Sequence, residues 1–398
     1  MPSPTRRQFL SLLGTASVGL AGCLSEDNGE FGQIDGEWPV EGANARRTRT
    51  VNDGPADPAM VWATEIEEAR AVGTPVVADQ TKVPSLADTR VYVLADAVSS
   101  PARHRYRLHA FDAPTGEEHW RVPLRSDPNS PPAVDSGQIF VSAQRGIEQG
   151  RLVAFEDRFG DEEWLYDIDA RVTAPPVVAS GTVYLPDWEG RVHALGVADG
   201  SVRWARPVGS DQESRTLAKP VAVQDDTLFV GSHTGRTGVA AVDAETGETM
   251  WTKSTHRVIA GPVVDDRLVV VKGGSVLRAF DTDGTDRWAF NIPGDVPGIP
   301  IAVDDQRVYV STRKRLYAIT RSGREAWTYE PDDEDIGPPT VVGNEVVVPV
   351  GDGLTALAHA DGATRWHTET DGYGSVVVTP SAMFMAASGG RIIGLGTG

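Results

Sequence analysis

Few residues in this chain of 398 residues have the types and spacing that enzyme or metal chemistry requires. Cys23 is the only cysteine, which excludes an intrachain disulfide, a zinc site built on cysteines and an iron–sulfur cluster. The eight histidines show no metal-ligand spacing such as His-Glu-x-x-His. Neither a Gly-x-Ser-x-Gly nucleophile motif nor a phosphate-binding P-loop occurs. The sequence therefore predicts no catalytic residue and no metal site.

One acidic segment deserves comparison with a metal site. Residues 281–286 read Asp-Thr-Asp-Gly-Thr-Asp, which is similar to the start of a calcium-binding loop. The segment lacks the later glutamate that such a loop needs, and it coincides with a turn of the repeat described below. Aspartate, threonine and glycine are also the ordinary residues of a tight turn, which is the favoured interpretation.

A second group of residues could form a binding face for a protein partner. A tryptophan beside arginines at a loop tip is typical of interface anchors, although packing against a neighbouring loop is an equal alternative. The arginines either converge on one pocket or are scattered over the surface, and the linear sequence leaves both open. The candidates, all in predicted loops, are Trp188, Arg145, Arg236, Arg313 and Arg315.

The first residues of the chain predict a signal for export. Arg6 and Arg7, followed by a short apolar stretch, resemble the twin-arginine signal that directs folded proteins across a membrane. Leu-Ala-Gly-Cys at residues 20–23 resembles the lipobox at which a lipoprotein precursor is cleaved and lipidated on Cys23. The alternative is an ordinary basic start and an incidental buried thiol. We expect a signal at 1–22, a lipidated flexible tether at 23–37 and the folded domain at 38–398.

The net charge of the chain limits the classes of partner that it can bind. A formal net charge of −19 argues against nucleic acid, because phosphate binding needs a basic surface. Only five of the 37 basic residues are lysines, and an acidic, lysine-poor surface resembles proteins of halophilic archaea. Such a charge keeps a surface hydrated and soluble. We expect a monomer that contacts a protein partner at the cell surface and the membrane through the lipid on Cys23.

The strands and loops that contain these residues are predicted from an internal repeat. In seven units a glycine lies four residues before a tryptophan, and successive tryptophans are 37 to 47 residues apart. Each unit also contains a proline followed by apolar residues, a turn and a second apolar run, which predicts four short strands. The seven tryptophans are Trp120, Trp164, Trp204, Trp251, Trp288, Trp327 and Trp366.

The two ends of the chain supply an eighth unit. Trp62 lies in a run that looks like a fourth strand with nothing before it, and residues 375–395 look like three strands with no fourth after them. Four-stranded units of about 40–50 residues arranged radially are the blades of a propeller. The sequence therefore predicts an all-β protein, an eight-bladed β-propeller of four-stranded antiparallel blades closed by its N- and C-terminal strands.

The repeat pattern Ala-x-Asp-x-x-x-Gly-x-x-x-Trp resembles that of the pyrroloquinoline-quinone-like (PQQ-like) propeller family. Trp-Pro-Val-Glu-Gly at residues 38–42 is similar to that family's N-terminal segment. The resemblance implies that the eight repeat tryptophans stack between blades and are structural. Loss of one such ring should destabilise the fold by about 3–5 kcal/mol.

The same resemblance leaves the activity open. The family includes dehydrogenases with PQQ and calcium in the central channel, and it also includes a non-enzymatic assembly lipoprotein of the outer membrane. The vicinal disulfide typical of these dehydrogenases is absent because the chain has a single cysteine. We expect a non-enzymatic, membrane-anchored platform for protein partners that uses no cofactor. The alternatives are a PQQ- and calcium-dependent dehydrogenase and a surface lipoprotein that binds a small ligand or sugar.

Overall fold

Short runs of β-branched and aromatic residues, each ended by a tight turn, build this chain. In the third repeat, Thr182–Pro186 is completely buried, and the hairpin that follows the next strand turns at Gly200 with a φ of +66°. Glycine adopts this left-handed conformation without the steric cost that a side chain would add. The computed structural model describes residues 29–78, 89–97, 105–209, 216–234, 237–255, 257–293, 298–332 and 334–397.

The strands in these residues form eight sheets. The first two are β1 (Thr50–Val51) and β2 (Ala59–Glu65). Blades 1 to 4 then contain, in chain order, β3 (Ala69–Val72), β4 (Val76–Ala78), β5 (Arg90–Ala97), β6 (Tyr106–Asp112), β7 (Glu118–Pro123); β8 (Asp127–Pro128), β9 (Ala133–Asp135), β10 (Gln138–Gln144), β11 (Gly150–Glu156), β12 (Glu162–Ile168); β13 (Val177–Ala179), β14 (Thr182–Pro186), β15 (Arg191–Gly196), β16 (Val202–Pro207); β17 (Ala222–Gln224), β18 (Thr227–Gly231), β19 (Thr237–Asp243) and β20 (Thr249–Ser254).

Blades 5 to 8 complete the series. They contain β21 (Val258–Asp265), β22 (Leu268–Gly273), β23 (Val276–Asp281), β24 (Asp286–Asn291); β25 (Ala302–Val303), β26 (Arg307–Ser311), β27 (Leu316–Thr320), β28 (Glu325–Tyr329); β29 (Thr340–Val342), β30 (Glu345–Val350), β31 (Gly353–Ala358), β32 (Thr364–Glu369); β33 (Gly372–Val378), β34 (Met383–Ala387) and β35 (Arg391–Gly396). No helix occurs in the described residues, and hence none there is long and apolar enough to span a bilayer.

The innermost strand of each blade contacts that of the next, from β4 through β9, β13, β17, β21, β25 and β29 to β33. The ring closes because β2 pairs antiparallel with β35, where Trp62 lies near Gly394. The predicted eight-bladed propeller, closed by strands from both ends of the chain, is confirmed. Closure removes long free strand edges from the interior of the fold.

The repeat tryptophans link neighbouring blades in one recurring geometry. Seven indole Nε1–H groups donate to a backbone carbonyl in the hairpin of the next blade, at 2.8 to 3.1 Å. The ring also covers that hairpin's glycine, so closely that an added Cβ would lie 2.5 to 2.9 Å from it. The pairs are Trp62–Gly116, Trp120–Gly160, Trp164–Gly200, Trp204–Gly247, Trp251–Gly284, Trp288–Gly323 and Trp327–Gly362.

Trp366 departs from this geometry. Its Nε1 donates to the Glu345 carboxylate, 3.1 Å away in its own blade. The physical reason lies in the closure: blade 8 takes its fourth strand from β2, so no hairpin joins its third and fourth strands. The resemblance implied one role for all eight tryptophans, and in the structure seven of them contact the hairpin of the next blade.

Residues 29–37, assigned above to a flexible tether, pack on the propeller. The amide of Gly29 donates to the Val61 carbonyl at 2.8 Å. The ring of Phe31 meets Phe384 edge to face at 6.1 Å, and Ile34 is only 3% exposed. Phe31 and Ile34 are apolar, and burying their side chains is favourable. This segment therefore packs on the propeller and does not form the predicted flexible tether. The packed part of the chain therefore begins before residue 38.

Lys272, on β22, is fully buried between blades 5 and 6. Its Nζ donates to the Ser311 carbonyl at 3.5 Å, and burial lowers the pKa of Lys272 to about 8. Between this pKa and the unfolded value of about 10.4, the unfolded chain binds more protons than the folded chain, so stability rises with pH. Below pH 8 the cost of burying the charge is constant.

We therefore expect Lys272→Met to raise the free energy of unfolding by about 2–3 kcal/mol at pH 7. This increase in the free energy of unfolding should shrink above pH 8 and vanish near pH 10.5, where the lysine of the unfolded chain also becomes neutral. Urea unfolding of both proteins across this pH range measures the difference. Lys253→Met is the matched control, because Lys253 is partly exposed. Equal pH profiles for the two variants would contradict a buried ammonium at Lys272.

Candidate functional site

The predicted binding residues lie on one face of the propeller. Strands alternate in direction within each blade, so the loops after every second and fourth strand lie on the same side. We call this side the upper face. The inner strands also begin there, because each follows the fourth strand of the preceding blade. The channel mouth at the upper face is therefore surrounded by the segments that enter the inner strands.

A segment from the start of the chain follows the wall of the channel. We call residues 38–51 the N-terminal strap. Its carbonyls accept hydrogen bonds of 2.7 to 3.0 Å from backbone amides of the inner strands, whose free edges face the channel because their other edges pair with the second strands. The donors belong to six blades, and they are Val77, Val134, Val223, Val264, Val303 and Val341.

The strap turns through left-handed backbone at positions other than glycine. Arg47 and Arg49 have φ values of +63° and +51°, and Ala43 has a φ of +74°. Such conformations are uncommon for residues with a Cβ, and the hydrogen bonds of the strap hold them in place. Both arginines are nearly inaccessible to solvent. The strap therefore fixes two buried guanidinium groups inside the propeller.

Arg49 anchors the strap to blades 7 and 8. Its guanidinium donates to the carbonyls of Pro339 and Val376, at 2.9 and 3.4 Å, and to the Thr340 hydroxyl at 2.9 Å. The group also lies 5.5 Å from the ring of Trp38, a cation–π contact. Burial lowers the pKa of Arg49 to about 10, so the side chain stays charged at neutral pH. Its role is to hold the strap.

Arg47 faces a cavity at the channel mouth. This mouth cavity has a volume of about 190 Å³. The strap contributes Glu41 and Arg47, whose carboxylate and guanidinium are 3.3 Å apart. Segments entering the inner strands of blades 2 to 6 supply the remaining wall, including Ser130, Thr173 and Lys219. Residues from six regions of the chain thus converge on one small polar space.

Positive charge accumulates around the mouth cavity. Burial lowers the pKa of Lys219, Glu41 acts in the opposite direction, and Arg47 and Arg257 lower it further. Burial also lowers the pKa of His233, a shift opposed by its hydrogen bond to the Val258 carbonyl and increased by Arg257 and Lys219. His233 is therefore neutral at pH 7. Two cations and one carboxylate line the cavity itself, within a protein whose net charge is −19.

Trp188 lies beside this cavity and is half-buried. Its Nε1 donates to the Thr173 hydroxyl at 2.8 Å, and the guanidinium of Arg171 covers its ring at 4.2 Å. The preceding Asp187 carboxylate pairs with His193 at 3.0 Å and accepts two backbone amides of the loop. Trp188 therefore packs against a neighbouring loop, and part of its side chain stays exposed on a rigid loop at the upper face.

The described arginines of the predicted set do not all converge on one pocket, although Arg313 and Arg315 line one cavity together. Arg145 in blade 2 pairs with Asp167 at 2.7 Å, and Arg313 in blade 6 lies 3.9 Å from Asp335. Arg315 pairs with Glu330. Blades 2 and 6 lie on opposite sides of an eight-bladed ring, and each arginine already has a carboxylate partner. Arg236, like Arg6, Arg7 and Cys23, lies outside the described residues.

The calcium-like segment is a hairpin turn. The carboxylate of Asp283 accepts the amide of Thr285 at 2.8 Å, and Asp281 pairs with Arg287 at 2.5 Å. The carboxylates of Asp281 and Asp283 thus form hydrogen bonds and an ion pair within the turn and its adjoining strand. Within the described part of the chain, no group of three or more His, Cys, Asp or Glu side chains is placed to hold a metal ion.

Sequence reasoning missed the residues that do converge. Arg47 follows the segment that resembles the family's N-terminus, but the cavity that it lines is shared with Ile259 and Ala260, more than 200 residues away. Lys219 is one of only five lysines and directly precedes Pro220, at the entry to the inner strand β17. A lysine at that position of a lysine-poor chain is the one signal that could have pointed to it.

A sequence profile described as outer membrane protein assembly factor BamB matches residues 54–274 and 272–397. The chain belongs to the BamB family. The two matched segments cover most of the propeller and join near the end of β22. This agrees with the PQQ-like repeat that the tryptophan pattern predicts.

Individual relatives share only parts of the chain. A BamB protein of Xanthomonas campestris is 29% identical over 110 residues, which are 24% of this chain and 27% of that protein. A 1-butanol dehydrogenase (cytochrome c) of Thauera butanivorans is 32% identical over 123 residues, which are 27% of this chain and 17% of that protein. The matched regions thus span less than a third of either relative, one named an assembly factor and one named an enzyme.

Solved structures share the fold at low sequence identity. BamB from Moraxella catarrhalis superposes with a TM-score of 0.64 and 18% identity, covering 86% of this chain and 98% of that one. A quinohemoprotein alcohol dehydrogenase from Comamonas testosteroni gives 0.69 and 16%, covering 90% and 80%. The computationally designed Ika8 protein gives 0.62 and 12%, covering 88% and 99%. Because such different proteins match, the likeness establishes the fold alone.

The described residues around the mouth cavity do not fit PQQ with calcium. Calcium takes about six to eight oxygen ligands, whereas Glu41 is the only carboxylate among the described residues that line the cavity, and it is paired with Arg47. A volume of about 190 Å³ also falls below the ~300 Å³ at which pockets begin to enclose drug-sized ligands. We therefore derive no reaction step through either group.

Proposed function

We propose that this BamB-family chain is an exported, membrane-anchored propeller that binds a protein partner on its upper face and performs no covalent chemistry. The N-terminal strap carries this proposal. It lines the channel wall and bonds to six inner strands, and the mouth cavity that it borders has a volume of only about 190 Å³, which is small for a channel-bound cofactor. A ring of loops on a rigid scaffold is then the surface available for function.

The location rests on the start of the chain. Arg6 and Arg7 would direct export, and lipidation of Cys23 would hold the protein at the outer face of the cytoplasmic membrane. The acidic, lysine-poor composition suits a halophilic archaeal source. A single acyl chain binds a bilayer only marginally, so the anchor needs a second chain or a second membrane contact. The protein partner would supply such a contact if it is itself in the membrane.

A rigid upper face favours protein binding. Trp188 and its loop are already held by hydrogen bonds. These residues would therefore lose little conformational freedom when a partner binds. Ile147, at the tip of the adjacent loop of blade 2, is 84% exposed and offers an apolar contact. Arg145, two residues away in the same loop, is paired with Asp167, so this loop combines an apolar tip with a paired charge, as a transient interface does.

The alternative function is a PQQ-dependent dehydrogenase. The 1-butanol dehydrogenase relative and the fold of the quinohemoprotein favour it. Thermal unfolding of the full chain with PQQ and calcium tests it, because a ligand that binds only the folded state raises the unfolding temperature. A shift that requires both components would replace the platform proposal with the enzyme. We expect no shift at millimolar ligand.

The platform is tested by crosslinking in intact cells. A photo-crosslinking amino acid replaces Glu189, exposed on the upper face, or Glu245, exposed in a hairpin on the opposite face. We expect a discrete protein adduct from position 189 and none from 245. Trp188→Ala should lower the adduct yield about tenfold or more, as for an interface anchor worth ~1.4 kcal/mol or more. Adducts of equal yield from both faces would contradict a partner on the upper face.

A further inference from the structure

The mouth cavity contains a buried donor without an acceptor. Arg47 is only 6% exposed, and its Nε makes no hydrogen bond among the described residues. One guanidinium nitrogen, Nη2, is 3.3 Å from the Glu41 carboxylate, which leaves the Nε side of the group unpaired. An unsatisfied buried donor of a charged group is costly, so an acceptor at this place would stabilise the folded protein.

A second cation lines the same space. Lys219 is a lining residue, and among the described residues its ammonium forms no ion pair. The titratable groups that line the cavity are Glu41, Arg47 and Lys219, and together they leave one positive charge. His233 is neutral at pH 7 and Arg257 is exposed, so neither reverses this sign. One negative charge in the cavity would balance it.

Thr173 adds a polar donor in the wall. Its hydroxyl oxygen accepts the Nε1–H of Trp188 at 2.8 Å, so its own hydroxyl proton remains available to donate elsewhere. Thr173 also lines the mouth cavity. Trp188 is therefore a positioning residue for this wall, and the ordered loop around it connects the upper face to the cavity.

We propose that the mouth cavity binds a single carboxylate group, with Arg47 and Lys219 as its charged donors and Thr173 as a neutral donor. A carboxylate matches the cavity in charge, because it neutralises the one excess positive charge, whereas a dianionic phosphate would leave a buried negative charge. The volume of about 190 Å³ limits the bound group to a small organic acid or one residue of a protein. Only the protein-borne source rests on the proposed function.

Ligand-observed NMR on the full chain tests the site with three probes at fixed ionic strength. The probes are propionate, an acetylated Gly-Ser-Ala peptide with a free C-terminal carboxylate, and the same peptide with a C-terminal amide. We expect propionate or the free-acid peptide to bind and the amide to bind at least tenfold more weakly. Binding by propionate as tightly as the acid peptide assigns a small organic acid. Binding of the acid peptide at least tenfold more tightly than propionate assigns a protein carboxylate.

Variants separate the cavity from the rest of the surface. Lys219→Met should weaken the binding of the carboxylate probe at least tenfold, and Lys253→Met, on the outer strand β20, should leave it unchanged. The proposal is overturned if no probe binds, if acid and amide bind equally, or if Lys219→Met has no effect. Should Lys219→Met fail to fold, the acid–amide comparison decides the matter with the unmodified protein.

The crosslinking result stays independent of this site. An adduct at position 189 together with no probe binding would overturn the carboxylate site and keep the platform. Propionate binding without any upper-face adduct would keep the site and overturn the platform.

Discussion

Trp62→Ala should lower the free energy of unfolding by about 3–5 kcal/mol, the cost typical of deleting a buried tryptophan ring. Trp62 is 1% exposed, donates to the Ala113 carbonyl at 3.0 Å and covers Gly116 of blade 1. It also lies on β2, the strand that closes the ring. The substitution therefore removes an inter-blade contact at the closure, where N- and C-terminal segments must stay together. Chemical unfolding of the full chain measures the loss.

Trp366→Ala is the matched control for this prediction. Trp366 is also buried, at 9% exposure, but its Nε1 contacts Glu345 within its own blade. Its loss should cost the burial of the ring, about 1.5–3 kcal/mol, together with the hydrogen bond to Glu345, but no inter-blade hydrogen bond. A larger loss for Trp366→Ala than for Trp62→Ala would show that the hairpin contact does not contribute to closure.

Arg49→Met should destabilise the protein by about 3–5 kcal/mol, because hydrogen bonds to a charged group contribute ~1.5–3 kcal/mol each. The change leaves the carbonyls of Pro339 and Val376 buried without this donor and removes the cation above Trp38. Methionine has a similar length, so the loss reports on the guanidinium and not on a large cavity. Differential scanning calorimetry at pH 7 gives the change in unfolding temperature and enthalpy.

Arg46→Met provides the control within the same strap. The Arg46 side chain is 47% exposed, and its pair with Asp265, at 3.4 Å, is of the surface type that contributes at most about 1 kcal/mol. We expect its unfolding temperature to stay close to that of the wild type. If Arg49→Met behaves like Arg46→Met, the strap is held by its backbone hydrogen bonds alone.

The repeat could be predicted from sequence because its signals are local. A glycine four residues before each tryptophan is a hairpin with a left-handed residue, and the proline–valine runs are inner strands. Even the closure could be inferred, since Trp62 and residues 375–395 were complementary fragments of one unit. The different contact of Trp366 follows from the same inference. A blade assembled from the two chain ends has no hairpin between its third and fourth strands, so the Trp366 ring has no such hairpin to contact.

The candidate binding site was less predictable. Trp188, Arg145, Arg313 and Arg315 were placed in surface loops by their position in the repeat, and they do lie there. Whether their charges were free depended on carboxylates in neighbouring loops, such as Asp167 and Glu330, that no local pattern pairs with them. The packed segment likewise begins before the predicted boundary at residue 38, because Ile34 is buried in a core cluster that includes residues of blades 1 and 8.

The blade count, the order of strands and the manner of closure could be read from the residues alone, since strand and turn formation depend on residues close together in the chain. The path of the strap, and the residues that it places beside Lys219, emerge from the folded ring. Arg47 and Lys219 are 172 positions apart, and ring closure around the channel brings them to one cavity. Charge, burial and an unpaired donor are properties of that shared space, so no segment of the chain encodes them alone.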